Sequence, residues 1–137
     1  MTTFDSVRAA VQDRWLAQWI DGGPARTPTA FENIEYEPVK DVSFARLTIR
    51  NGDGQQLTMG SNRSYRQRGL ILIEIFTPAG KGTGESDRLV DAATIIFRGV
   101  TFGGITTFAP EVINNPTTEA DWYKVDINFP YKWDEQL

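Results

Sequence analysis

The segment RGLILIEIFTP, residues 68–78, limits the possible folds more than any other part of the chain. Its apolar residues run almost without interruption between Arg68 and Thr77. A run of this length and composition predicts a strand that is buried on both faces. We therefore expect this strand to lie at the centre of a sheet.

A helix is predicted after this strand, because apolar residues recur there at three- and four-residue steps and Gly99 closes the pattern. Its apolar face consists of Leu89, Val90, Ala93, Ile96 and Phe97. A similar stripe predicts an N-terminal helix over residues 3–20. This stripe consists of Phe4, Val7, Val11, Trp15 and Trp19. The two tryptophans are expected in the core rather than on a sugar-binding surface.

The remaining segments are predicted to be mainly strands. FENIEYEPV is expected to form one strand, and VSFARLTIR is expected to pair with QQLTMGS through a hairpin turn at Asn51–Gly54. GVTFGGITTFAP predicts one or two short strands, and EVINNPTTEA is expected to be a loop. WYKVDINFPYKW alternates cleanly and predicts a final strand.

This order of elements predicts an α+β fold, with two amphipathic helices packed on a mostly antiparallel, mixed sheet. The length favours a single domain over residues 1–137, with the core sheet and second helix within residues 31–131. No apolar run reaches the ~18 residues of a membrane helix, and no signal peptide precedes the first helix. We therefore expect no membrane association and assembly in a cytoplasm.

The glycine-rich loop Gly80–Gly84 lies between the central strand and a helix, which is the usual setting for phosphate binding. The phosphate-loop spacing fails, because Gly82 rather than a hydroxyl residue follows Lys81. We therefore interpret Gly80 and Gly82 as a structural turn with positive φ. A small nucleotide-binding enzyme that uses Lys81 is a remote alternative.

The composition argues against catalysis. The chain contains neither cysteine nor histidine, so thiolate nucleophiles and the commonest general base and metal ligand are excluded. Asp87 and Asp91 would share one helix face, but a solvated surface explains them equally well. We expect no catalytic residues, no metal site and no cofactor, and a protein that works through its surfaces. A carbohydrate-binding module is a further alternative, which would require Trp122 and Trp133 to be exposed.

The segment SNRSYRQR is locally basic in a chain of net charge −4. It is expected to be a polar loop. Arginine and tyrosine are enriched at the energetic centres of interfaces, so the segment is a candidate surface for an acidic partner. The predicted interface residues are Arg63, Tyr65, Arg66 and Arg68.

The order of segments resembles the tail terminator family of long-tailed bacteriophages. The resemblance rests on the pattern G-[apolar]-x-[apolar]-x-I-[FY]-x-P-x-G-x-G, followed by an alanine-bearing helix that ends in F-x-G. The matching residues are Gly69, Leu70, Leu72, Ile75, Phe76, Pro78, Gly80, Gly82, Ala92, Ala93, Phe97 and Gly99. The closing WYKVDINFPYKW is similar to the last strand of the same group.

The resemblance implies a virion protein of the tail that forms a ring, a hexamer, on the end of the tail tube. Such a ring stops tube polymerisation and joins the tail to the head-completion proteins at the connector. The implied partners are further copies of the chain, the tail tube protein and the connector protein, while genomic DNA passes through the lumen without specific binding. Assembly in the host cytoplasm is implied as well. Another ring of the head–tail joint or of the distal tail is the alternative.

Overall fold

The computed structural model describes residues 2–20, 27–61, 63–80, 82–115 and 121–136. Within these residues, two helices cover one face of a seven-stranded sheet with the order β1-β2-β3-β7-β5-β4, and β6 also pairs with β7. The helices are α1, Phe4–Trp15, and α2, Gly84–Phe97. The strands are β1 Thr29–Phe31, β2 Phe44–Gln56, β3 Ser64–Pro78, β4 Thr101–Phe102, β5 Ile105–Thr107, β6 Glu111–Asn115 and β7 Trp122–Gln136.

Strand β3 lies at the centre of the sheet, as the apolar run predicts, but its second face is buried only in part: Glu74 and Phe76 are buried, whereas Leu70 and Leu72 are half-buried. It pairs antiparallel with β2 on one side and with β7 on the other. Ile71, Ile73 and Ile75 are fully buried beneath the helices. All strand pairings are antiparallel except the short β1–β2 pairing, which is parallel. The predicted α+β fold is therefore confirmed.

Helix α1 begins at a capping box, in which Thr3 and Ser6 each accept a hydrogen bond from the other's backbone N–H. It continues as a π-helical turn over Leu16–Ile20. The rings of Trp15 and Trp19 stack at 4.5 Å and are buried, so the prediction that they belong to the core is confirmed. Their indole N–H groups donate to Thr29 Oγ1 and to the Thr27 carbonyl, which satisfies the polar end of each ring.

Helix α2 packs its apolar face on the same core. Leu89, Ala93, Ile96 and Phe97 are buried, and Val90 is partly buried. Neither helix, within the described residues, is long and apolar enough to cross a membrane.

Three predicted elements differ from the structure around β2. FENIEYEPV is not a strand, because β1 ends at Phe31 and Asn33 adopts a left-handed φ of 57°. The predicted turn Asn51–Gly54 lies inside β2, where the β2–β3 register shifts. None of its four residues has the positive φ that a tight hairpin turn requires. QQLTMGS is therefore not a return strand, and the hairpin reverses between Gln56 and Ser64.

Two predicted loops contain strands. Ser64–Arg68, within SNRSYRQR, forms the beginning of β3, because both β2 and β7 supply backbone partners there. Glu111–Asn115, within EVINNPTTEA, forms β6 by pairing with residues 124–128 of β7. Both corrections depend on strand partners that are distant in sequence.

Candidate interaction surface

The two faces of the sheet have different surroundings. The helices cover the face that carries Ile71, Ile73 and Ile75. Because successive side chains in a strand point to opposite faces, the even-numbered residues of β3 and β7 form the other face, which we call the helix-free face. Its side chains fall into an aromatic end, a central charged row and a basic end.

The aromatic end is a packed cluster of rings. Phe44 stacks on its cross-strand partner Phe76 at 4.5 Å, and Trp122 and Tyr36 contact Phe44 edge-on at 5.1 and 5.2 Å. Partial burial raises the pKa of the Tyr36 hydroxyl. The carbohydrate alternative fails, because Trp133 is only 2% exposed.

The charged side chains of the central row form ion pairs with one another, although Asp126 Oδ1 has no hydrogen-bond partner among the described residues. Glu74 is only 8% exposed and accepts from Lys124 Nζ at 2.7 Å, while Arg46 lies 3.9 Å from the same carboxylate. Asp126 lies 3.5 Å from Lys124 Nζ. Burial is the largest influence on the Lys124 pKa and lowers it, but the hydrogen bonds and charges of Glu74 and Asp126 together outweigh burial and raise the pKa. The charges of Arg46, Glu74, Lys124 and Asp126 cancel, which leaves no net charge for a partner.

The basic end lies towards the hairpin. Arg66 makes a bidentate pair with Asp134, with N–O distances of 2.9 and 3.1 Å. A hydrogen bond from Arg66 is the largest influence on the pKa of Asp134 and holds it below its usual value. Burial opposes this effect, and the charges of Arg66, Lys132 and Arg68 also lower the pKa. The same hydrogen bond raises the pKa of Arg66. One carboxylate is therefore surrounded by several cations.

We call these residues, together with Arg50 on β2, the basic sheet surface: Arg50, Arg66, Arg68, Lys132 and Asp134. Among the described residues, no carboxylate lies within 4.0 Å of Arg50, Arg68 or Lys132. Arg68 instead donates to Gln55 at 3.3 Å, and Lys132 lies 6.0 Å from the Phe108 ring centroid. The basic sheet surface thus has a net charge of +3 in a chain of net charge −4.

The structure separates the predicted interface residues. Arg66 and Arg68 lie together on the helix-free face, whereas alternation places Tyr65 on the other face, where it is half-buried. Arg63 lies in the hairpin connection and donates from Nε to the Gly60 carbonyl at 3.0 Å. Sequence reasoning missed Arg50 and Lys132. The alternation of WYKVDINFPYKW was the signal for Lys132, since it places this residue on the same face as Lys124.

The glycine loop leads from β3 into α2. Gly80 and Gly82 have φ values of 83° and 76°, in the left-handed region that favours glycine. Lys81, the residue of the nucleotide alternative, lies outside the described residues. Asp87 and Asp91 are both exposed on α2. In the described ranges, no three acidic side chains converge as a metal-binding group.

Comparison with known proteins identifies the family. A family profile described as phage tail terminator protein matches residues 6–131. No curated protein matches the chain. One solved structure is 18% identical, with a TM-score of 0.66 over 97% of this chain and 96% of that chain. A chain in the virion of a native gene transfer agent particle is 14% identical, with a TM-score of 0.64 over 97% and 100% of the two chains.

The structural matches are too low in identity to show more than a shared fold. The family profile shows more, because it covers most of the sequence and confirms the resemblance inferred from residues 69–99. The chain belongs to the phage tail terminator protein family and is a structural protein of a phage tail.

Proposed function

We propose that the protein assembles into a ring, a hexamer, on the end of the tail tube, where it stops polymerisation and provides the joint to the head-completion protein of the connector. Assembly takes place in the host cytoplasm, and genomic DNA passes through the lumen without specific binding. No catalytic step is part of this function. Membership of the tail terminator family supports a role in tail assembly, and the basic sheet surface is the candidate contact surface.

The unneutralised charge of the basic sheet surface is the observation that supports it as the contact surface. An exposed ion pair contributes only about 0–1 kcal/mol, so a useful contact requires several cations close together. Arg68 and Lys132 are cross-strand partners on β3 and β7, and Arg50 lies on the adjacent strand β2. A partner that brings carboxylates to these groups gains several ion pairs at once, which favours fast and specific association.

The proposal is tested by electron microscopy of the purified protein mixed with tail tubes assembled without it. We expect rings on tube ends and tubes that no longer elongate. The double variant Arg68→Gln/Lys132→Gln should remain folded and bind to itself or to tube ends more weakly. The matched control, Arg88→Gln/Arg98→Gln, removes two exposed cations from α2 and the residue after it, and should behave like the wild type.

Two results would contradict the proposal. A wild-type protein that never forms a ring and never binds tube ends would exclude a terminator function. Heat released on titration with ATP and Mg²⁺, and lost in Lys81→Ala, would support the nucleotide alternative instead.

A further inference from the structure

A second exposed surface lies at the opposite end of the sheet, in the connection between β1 and β2. Residues 33–42, which we call the strap, are exposed at every position except Tyr36. Ile34 is 66% exposed, Val39 57% and Val42 39%. These three aliphatic side chains give the strap apolar surface that a partner could cover.

The strap is acidic and has a defined shape. It contains Glu35, Glu37 and Asp41 against Lys40, for a net charge of −2. Among the described residues, no ion pair involves any of these four side chains. Asn33, with a left-handed φ of 57°, turns the chain near the start of the strap, and Asp41, at 64°, turns it near the end.

An aromatic contact shows which end of the sheet the strap lies against. Tyr36 packs on Phe44, the first residue of β2, at the aromatic end of the helix-free face. Arg50 lies six residues further along β2, which is about 20 Å at the rise of a β-strand. The strap and the basic sheet surface of one molecule are therefore too far apart to neutralise each other. Contact between them requires a second copy.

We propose that the strap of one subunit docks on the basic sheet surface of the next subunit. This inference rests on the proposed ring and supplies its subunit contact. The carboxylates of Glu35 and Glu37 meet Arg68 and Lys132, while the exposed aliphatic side chains of the strap cover half-buried leucines beside the basic surface. These leucines are Leu70 and Leu72.

The two surfaces satisfy the geometric requirement of a ring. A ring closes by head-to-tail contacts, in which each subunit contributes two different surfaces to its two neighbours. The strap has a net charge of −2 and the basic sheet surface one of +3, and they lie at opposite ends of the sheet. A second copy of the chain therefore supplies the complementary charge.

Charge reversal provides the test. The surface variant is Arg68→Glu/Lys132→Glu, and the strap variant is Glu35→Lys/Glu37→Lys. In each variant alone, like charges face each other at every subunit contact, and we expect about tenfold weaker self-association or more. In an equimolar mixture, every contact of an alternating ring again joins opposite charges. Native mass spectrometry should then show mixed rings with equal numbers of both variants.

The outcomes separate the two proposals. Wild-type rings together with variants that assemble as well as the wild type would overturn the docking contact and leave the terminator function intact. Variants that assemble normally but no longer bind tube ends would assign the basic sheet surface to the tube and would also overturn the docking contact. A mixture that fails to form rings would have the same consequence. A wild type that neither self-associates nor reaches tube ends would contradict both proposals.

Discussion

Gly69 on β3 is the position where a single methyl group should disturb the sheet most. A Cβ atom added there would lie 2.6 Å from the hydroxyl oxygen of Tyr131 and even closer to the Arg50 carbonyl oxygen, whereas ordinary contacts are 3.4–4 Å. Tyr131 is the cross-strand partner of Gly69 on β7 and is only 1% exposed. Gly69 therefore provides the space that the tyrosine ring occupies.

We expect Gly69→Ala to destabilise the protein by about 2–3 kcal/mol, the upper part of the range for overpacking, because one obstacle is backbone that cannot move without disturbing the β2–β3 pairing. At roughly 4 °C per kcal/mol for a chain of this size, the melting temperature should fall by about 8–12 °C. Urea denaturation followed by circular dichroism measures the free energy directly.

A second substitution tests the cause. The Tyr131 hydroxyl is buried and has no hydrogen-bond partner among the described residues. Tyr131→Phe alone should therefore be neutral or slightly stabilising. In the Gly69→Ala background it should recover about 1 kcal/mol, since it removes the oxygen that the new methyl group meets. A wild-type denaturation midpoint for Gly69→Ala would refute this account of the contact. So would a double variant whose change in stability is only the sum of the two single changes.

Three further predictions concern the core, the glycine turn and the ion pair of the basic sheet surface. Ile96→Ala and Phe97→Ala should each cost about 2–5 kcal/mol in urea denaturation, because both side chains are buried between α2 and the sheet; wild-type stability in both would contradict the placement of α2. Gly80→Ala should destabilise the protein by about 1 kcal/mol, because Gly80 has a positive φ. Gly84→Ala, at the first position of α2, should be neutral or stabilising. Equal effects of the two substitutions in thermal melts would argue against a turn-specific role for Gly80. Folding lowers the pKa of Asp134, so this carboxylate contributes its full stability above its pKa in the unfolded chain and loses that contribution as pH falls through its pKa in the folded protein. Carboxyl titration by NMR should show the pKa of Asp134 rising in Arg66→Gln. An unchanged pKa would contradict the pairing.

The sequence predicted those parts of the fold that depend on local patterns. Three such patterns lie within single segments: the apolar run of β3, the apolar stripes of the two helices and the alternation of β7. Each pattern shows from one segment alone which side chains are buried. Asn51–Gly54 was misread because the turn signal is local, whereas the outcome depends on β7: its last residues pair with Ser64–Gly69 and so extend β3 past the glycines. Strand β6 was missed for the same reason, since only pairing with β7 makes it a strand.

Only some residues of the basic sheet surface could likewise be recognised from the local sequence. Arg66 and Arg68 stand close together in the sequence and were found by composition, but Arg50 and Lys132 lie on two other strands and join them only through the register. Tyr65, adjacent in sequence, is separated from them by the alternation of side chains along β3. Because the helices bury one face of the sheet, the positions that stabilise the core alternate with positions on the helix-free face. At the basic end, these positions bear cations rather than the internally paired charges of the central row. The helix-free face is buried at its aromatic end and internally paired in its central row, so the cations of its basic end are the feature of this face that a partner would recognise.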